Sequence, residues 1–177
     1  MDLKPNTLSL IGLCREYCST LEGVDSMEPA QFVGALVRLL PRIYITATDL
    51  TRIVTIDGDE EGGLDNYLEE DYYESLRLKI ENLLGPDDVY LEVFEEEMKY
   101  SDTPIGASVA EGLCDLFQYF YNFTESIRGA LGDEMMAQAI NSMRDEFETA
   151  WSQTLVNVMR PLNSLAHKGT ADTDEDY

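Results

Sequence analysis

Between Ile56 and Leu68 the chain reads IDGDEEGGLDNYL, and its acids are spaced in the manner of a calcium loop. Asp57, Asp59 and Glu61 stand at positions one, three and five, Gly62 follows at six, and an apolar residue, Leu64, falls at eight. Asp65 adds a further candidate oxygen ligand. Carboxylates in this pattern suit a hard divalent cation, which takes oxygen donors from a short loop between two helices. The twelfth position is Leu68, where an EF-hand needs a bidentate Glu, so any calcium binding is expected to be weak.

Other candidate chemistry is thinner. His167 is the only histidine, and it lies near a helix C-terminus, where an imidazolium is favoured by the helix dipole. As a general base it would need a nucleophile and an orienting group, and no pattern in the chain supplies them. Cys14 and Cys18 fall four apart on one helix, and Cys114 is far away in sequence. An odd count without paired spacing argues against a disulfide framework, so all three read as small core residues. The phosphate-binding glycine patterns, HExxH and a nucleophile elbow are all missing. No catalytic residue and no cofactor is assigned. The turn Lys99-Tyr100-Ser101-Asp102-Thr103-Pro104 is a candidate partner contact, through Lys99, Tyr100 and Asp102.

The elements that would carry these residues are helices. Leu10, Leu13, Cys14, Tyr17 and Leu21 form one stripe of a helix over 7–22, closed by Gly23. From Pro29 a second helix has an unusually wide apolar arc: Phe32, Leu36, Leu39, Ile43 and Ala47 on one face, and Val33, Val37, Leu40 and Tyr44 beside it. Such an arc predicts a central element covered on two sides. Pro41 predicts a kink or break within it. A third helix is expected over 69–84, ended by Gly85 and Pro86. The stretch 87–100 is expected to be a short helix, since VYLEVF has no obvious strand partner nearby. Thr103 and Pro104 predict the start of the next helix, which carries Val109, Leu113, Leu116, Phe120, Phe123 and Ile127. After Gly132 a last pattern runs to His167, about 50 Å at 1.5 Å per residue, with a kink expected at Pro161. The residues 169–177, GTADTDEDY, have no apolar periodicity and read as a disordered acidic tail.

The fold class is therefore all-α: a single helical domain over 1–168, a bundle of five to six helices with a kinked long C-terminal helix. Its surface is extreme in charge. Twelve Lys and Arg face 35 Asp and Glu, a formal net charge of -23. Such a surface repels phosphate backbones and anionic lipid, so neither nucleic acid nor membrane is expected as a partner, and a basic protein is. No run of about 18 apolar residues offers a membrane span, and the N-terminus has no signal-peptide pattern, which together predict a cytoplasmic protein.

Four segments have a family character. LLPRIYI at 39–45, EEDYYESLR at 69–77, KYSDTPIGASVAEGLCDLFQYFYNF at 99–123 and FETAWSQTLVNVMRPLNSL at 147–165 resemble the bacterial family catalogued as domain of unknown function 5063. The resemblance runs from about Leu8 to His167. It implies a small helical bacterial protein and brings no activity or residue role with it. Where the family has a helix-capping Thr before the Glu-Glu-Asp-Tyr run, this chain has Leu68. The functional expectation is a protein-interaction or adaptor module without catalytic activity. The alternative is an enzyme using carboxylates or a divalent metal, or a weak calcium-binding protein. Oligomeric state is not legible.

Overall fold

The computed structural model describes residues 2–55, 64–92 and 105–168. Helix α1 spans Pro5–Glu22 and α2 spans Pro29–Thr48. Then come α3 (Glu70–Leu84), a short 3-10 turn (Gly85–Asp88), strands β1 (Val89–Glu92) and β2 (Ile105–Ser108), and α4 (Val109–Gly129). The chain closes with α5 (Asp133–Glu146), a π turn (Phe147–Trp151) and α6 (Ser152–Ala166).

Four helices form a ring. α1 packs on α2 and α4, and α6 packs on the same two helices from the other side. α3 and α5 lie outside the ring against α4. The wide apolar arc of α2 explains its place: Phe32, Leu36, Leu40 and Ile43 are fully buried between two neighbours. An edge-to-face run of aromatic rings ties the ring together. Tyr17 meets Phe120 at 5.0 Å, Phe120 meets Trp151 at 5.1 Å, Trp151 meets Phe147 at 4.7 Å, and Phe147 meets Tyr44 at 5.3 Å. Edge-to-face contact sets the positive rim of one ring against the negative face of the next. The buried polar ends are satisfied: the Tyr17 hydroxyl donates to the Leu113 carbonyl at 2.8 Å, and the Trp151 indole N–H donates to the Met143 carbonyl at 3.2 Å.

Sequence and structure part company chiefly in two places. First, Val89–Glu92 is a strand, not the helix expected over 87–100. It pairs antiparallel with β2, in the register Val89 with Ser108 and Leu91 with Gly106. The sequence hides this partner because 105–108 runs straight into the apolar stripe of α4 and reads as its first turn. Two caps place that turn later. Ser108 Oγ accepts the Glu111 N–H at 3.0 Å, and buried Asp88 accepts the Ala110 N–H at 2.7 Å. Together they satisfy two of the orphan donors of the helix end. So α4 begins at Val109, and Thr103-Pro104 does not start it. Asp88 reaches this position through the turn at Gly85, whose φ of 56° and ψ of -129° exclude side chains in practice.

Second, α2 runs through Pro41 without a break. A proline costs an internal hydrogen bond, but here Leu39, Leu40 and Ile43 are buried on either side of it and keep the helix continuous. Helical structure also continues through Pro161, and a π turn precedes it in the C-terminal rod. The extra residue of a wide turn re-phases the apolar stripe, so Phe147 and Trp151 both face the core. α3 starts one residue after the expected position, with Glu69 as N-cap and no side-chain cap bond. Leu68 is buried instead of capping.

Candidate functional site

Two constellations carry polar groups into the fold. The first anchors the non-helical chain on both flanks of the acidic stretch. Asn141, in α5, accepts the Ile53 N–H through Oδ1 and donates to the Ile53 carbonyl through Nδ2, both at 2.8 Å. The amide thus pairs with a backbone peptide as a neighbouring strand would. Asn122, in α4, accepts the N–H groups of Tyr67 and Leu68 at 2.9 and 3.0 Å. Arg52 adds an exposed ion pair to Asp145 at 3.0 Å. Sequence reasoning missed both asparagines. Their signal was faint: a poor helix former at mid-helix, beside a buried stripe.

Glu146 stands where α5 meets the π turn. One carboxylate oxygen accepts the Leu64 N–H at 3.1 Å, and the other is buried without a partner. Burial, with the neighbouring Asp145 carboxylate adding to it, pushes the Glu146 carboxyl above its ordinary value of 4.5 against the opposing pull of the Leu64 N–H. The folded chain therefore holds this proton more tightly than the unfolded chain does. Stability from this group is greatest below 4.5 and falls as pH rises through the raised folded value. Glu146→Gln, which keeps an acceptor for Leu64, is expected to raise the melting temperature at pH 7 and to lose that advantage below the ordinary carboxyl range. Thermal melts of both proteins from pH 3 to 8 check this; parallel curves would refute it.

The second constellation is a groove of about 530 Å³ between the ribbon and α6. Pro86, Val89, Tyr90 and Leu91 line one side, and Arg160, Pro161, Ser164 and Leu165 the other. The alternation of β1 turns Val89 and Leu91 outward, where they are 68% and 57% exposed. The Arg160 guanidinium spans the groove and donates to the Leu91 carbonyl. At one end Lys168 pairs with Asp87 at 2.6 Å. The Tyr90 hydroxyl is pushed up to about 12, first by burial and then by the Glu92 carboxylate beside it.

Asp57, Asp59 and Glu61 lie outside the described residues, as do Lys99, Tyr100, Asp102 and the tail 169–177. Asp65 is described and exposed, and it accepts from the Tyr67 hydroxyl at 3.4 Å. Among the described residues no group of three His, Cys, Asp or Glu side chains could hold a metal. His167 is exposed at the C-terminal cap of α6. Cys14, Cys18 and Cys114 are free thiols buried in the core, and burial pushes Cys114 up to about 12. None of the three has the thiolate character that reactivity requires.

A family model described as "Domain of unknown function (DUF5063)" matches residues 1–168. The chain belongs to this family. Among solved structures the DUF5063 chain is similar to a crystal structure of protein BF1032 from Bacteroides fragilis. The two are 28% identical, the match covers 92% of each chain, and the TM-score is 0.76. No curated protein matches. The helical fold is thus common to both chains. Among the described residues, no helix is long and apolar enough to cross a membrane.

Proposed function

We propose that this chain is a protein-interaction module that docks a partner in the groove between the β1–β2 ribbon and α6. One observation carries the reading. Val89 and Leu91 stand out in solvent on the lip of a groove floored by Pro161 and Leu165. Neighbouring apolar side chains left exposed at a concave surface mark binding sites more often than chance exposure does. The net charge of -23 adds a selection rule. A long-range acidic field speeds the approach of a net-basic protein and turns away nucleic acid and anionic membranes. No reaction is assigned to the groove.

The test is selection from a displayed random-peptide library on the whole protein, followed by binding of the enriched peptides to wild type and to V89D/L91D. Both substitutions are at exposed positions, and matched circular-dichroism melts verify that the fold is kept. Affinity is expected to fall by roughly tenfold or more, the effect of losing an apolar anchor. Equal affinity for the two proteins would rule the groove out as the docking surface.

A further inference from the structure

We infer that the segment seated in this groove presents a single carboxylate, flanked by apolar side chains, to Arg160. The inference rests on the docking reading above and adds the chemistry of the occupant. In this acid-rich chain the described guanidinium groups commonly hold carboxylates: Arg42, Arg52, Arg77, Arg128 and Arg144 each pair with one or more. Arg160 does not. Its bond runs from Nη2 to a neutral acceptor, the Leu91 carbonyl, and no described carboxylate lies within ion-pair distance. A guanidinium has five N–H donors in a planar fork. The Leu91 carbonyl occupies one of them and orients the fork across the groove, which leaves donors for a second acceptor.

The surroundings specify what that acceptor is attached to. Of the other charges at the groove, Asp87 and Lys168 neutralise each other at 2.6 Å, and the Glu92 carboxylate, buried behind the groove wall, accepts from the Tyr90 hydroxyl. Apart from the Tyr90 and Ser164 hydroxyls, the walls are otherwise Pro86, Val89, Leu91, Pro161 and Leu165. One positive charge amid largely apolar walls is complementary to one negative charge amid apolar groups, and a carboxylate matches the guanidinium fork with two parallel bonds. The groove is open along the ribbon, with Val89 and Leu91 more than half exposed. An extended peptide segment fits such a surface better than a small acid, which needs enclosure on most sides. The acidic exterior does not forbid this. Exposed charges farther than about 8 Å are screened at physiological salt, whereas a contact pair is not.

The experiment is a double-mutant cycle on the full chain. An enriched peptide bearing Asp or Glu between apolar residues is made with that acid and with its amide. Each form is measured against wild type and R160Q, with R160K as a second variant that keeps the charge and loses the fork. The amide form is expected to bind wild type about tenfold more weakly, mainly through faster dissociation, and R160Q is expected to bind both forms alike. R160K is expected to fall between. Additive effects, or enriched peptides without an acid, overturn the inference, and docking stands if those peptides still lose affinity for V89D/L91D. Peptides indifferent to V89D/L91D overturn docking and the inference with it. Octanoate binding to wild type and not to R160Q, while no peptide binds, overturns the peptide assignment.

Discussion

Trp151→Ala is expected to destabilise the fold by about 3–5 kcal/mol, the usual cost of emptying a large buried aromatic site. Trp151 is fully buried at the π turn and touches Phe120 and Phe147 edge-to-face, so its loss breaks the aromatic run between α4 and α2. The indole N–H also satisfies the Met143 carbonyl. At roughly 2–4 °C per kcal/mol for a chain of this size, the melting temperature should drop by about 10 °C. Trp151→Phe keeps a ring in the site and gives up the donor, and its cost should be smaller, about 1–2 kcal/mol. Urea denaturation followed by circular dichroism measures both, since the only tryptophan of the chain is the residue removed. Equal loss in the two variants would mean that the hydrogen bond, and not the filled volume, carries the stability.

Asn122→Ala should cost about 2–3 kcal/mol, although it deletes only a small side chain. The reason is the two backbone donors it abandons. Tyr67 and Leu68 both point their N–H groups at Asn122 Oδ1, and Leu68 is buried. A buried donor left without an acceptor costs about 1–3 kcal/mol, while the Tyr67 N–H, on an exposed residue, can turn to water. Asn122→Asp retains the acceptor and should recover most of the loss. Amide hydrogen exchange is the sharper readout: protection at Tyr67 and Leu68 should fall selectively in Asn122→Ala. Uniform loss of protection across α4 and α1 would instead indicate general weakening of the ring.

These two residues show where sequence reading succeeds and where it fails. Trp151 was visible as one position in a long apolar repeat, because helical periodicity is written locally every three or four residues. The π turn that re-aims it was not visible, since a single extra residue leaves each half of the repeat intact. Asn122 lay among aromatic residues on a helix with nothing in its neighbourhood to explain it. Its partners are more than 50 residues away. The ribbon failed for a related reason. Strands of four residues carry too little pattern to announce themselves, and β2 sits directly against a helix whose stripe absorbed it. The groove was equally hidden. Arg160 reads as an ordinary helical cation until the Leu91 carbonyl, 69 residues earlier, is placed against it.

The amino-acid sequence by itself determined the helical class, the faces that α1, α2, α4 and the C-terminal rod bury, and the acidity of the exterior. All three are properties of neighbours along the chain: spacing sets a face, and composition sets a charge. Tertiary structure alone decided which faces meet around the four-helix ring, that Val89–Glu92 finds a strand to pair with, and that Arg160 crosses an apolar groove. Each of these joins residues distant in sequence, and a contact of that kind comes into being only when loop-closure entropy is overcome by burial that the completed fold provides.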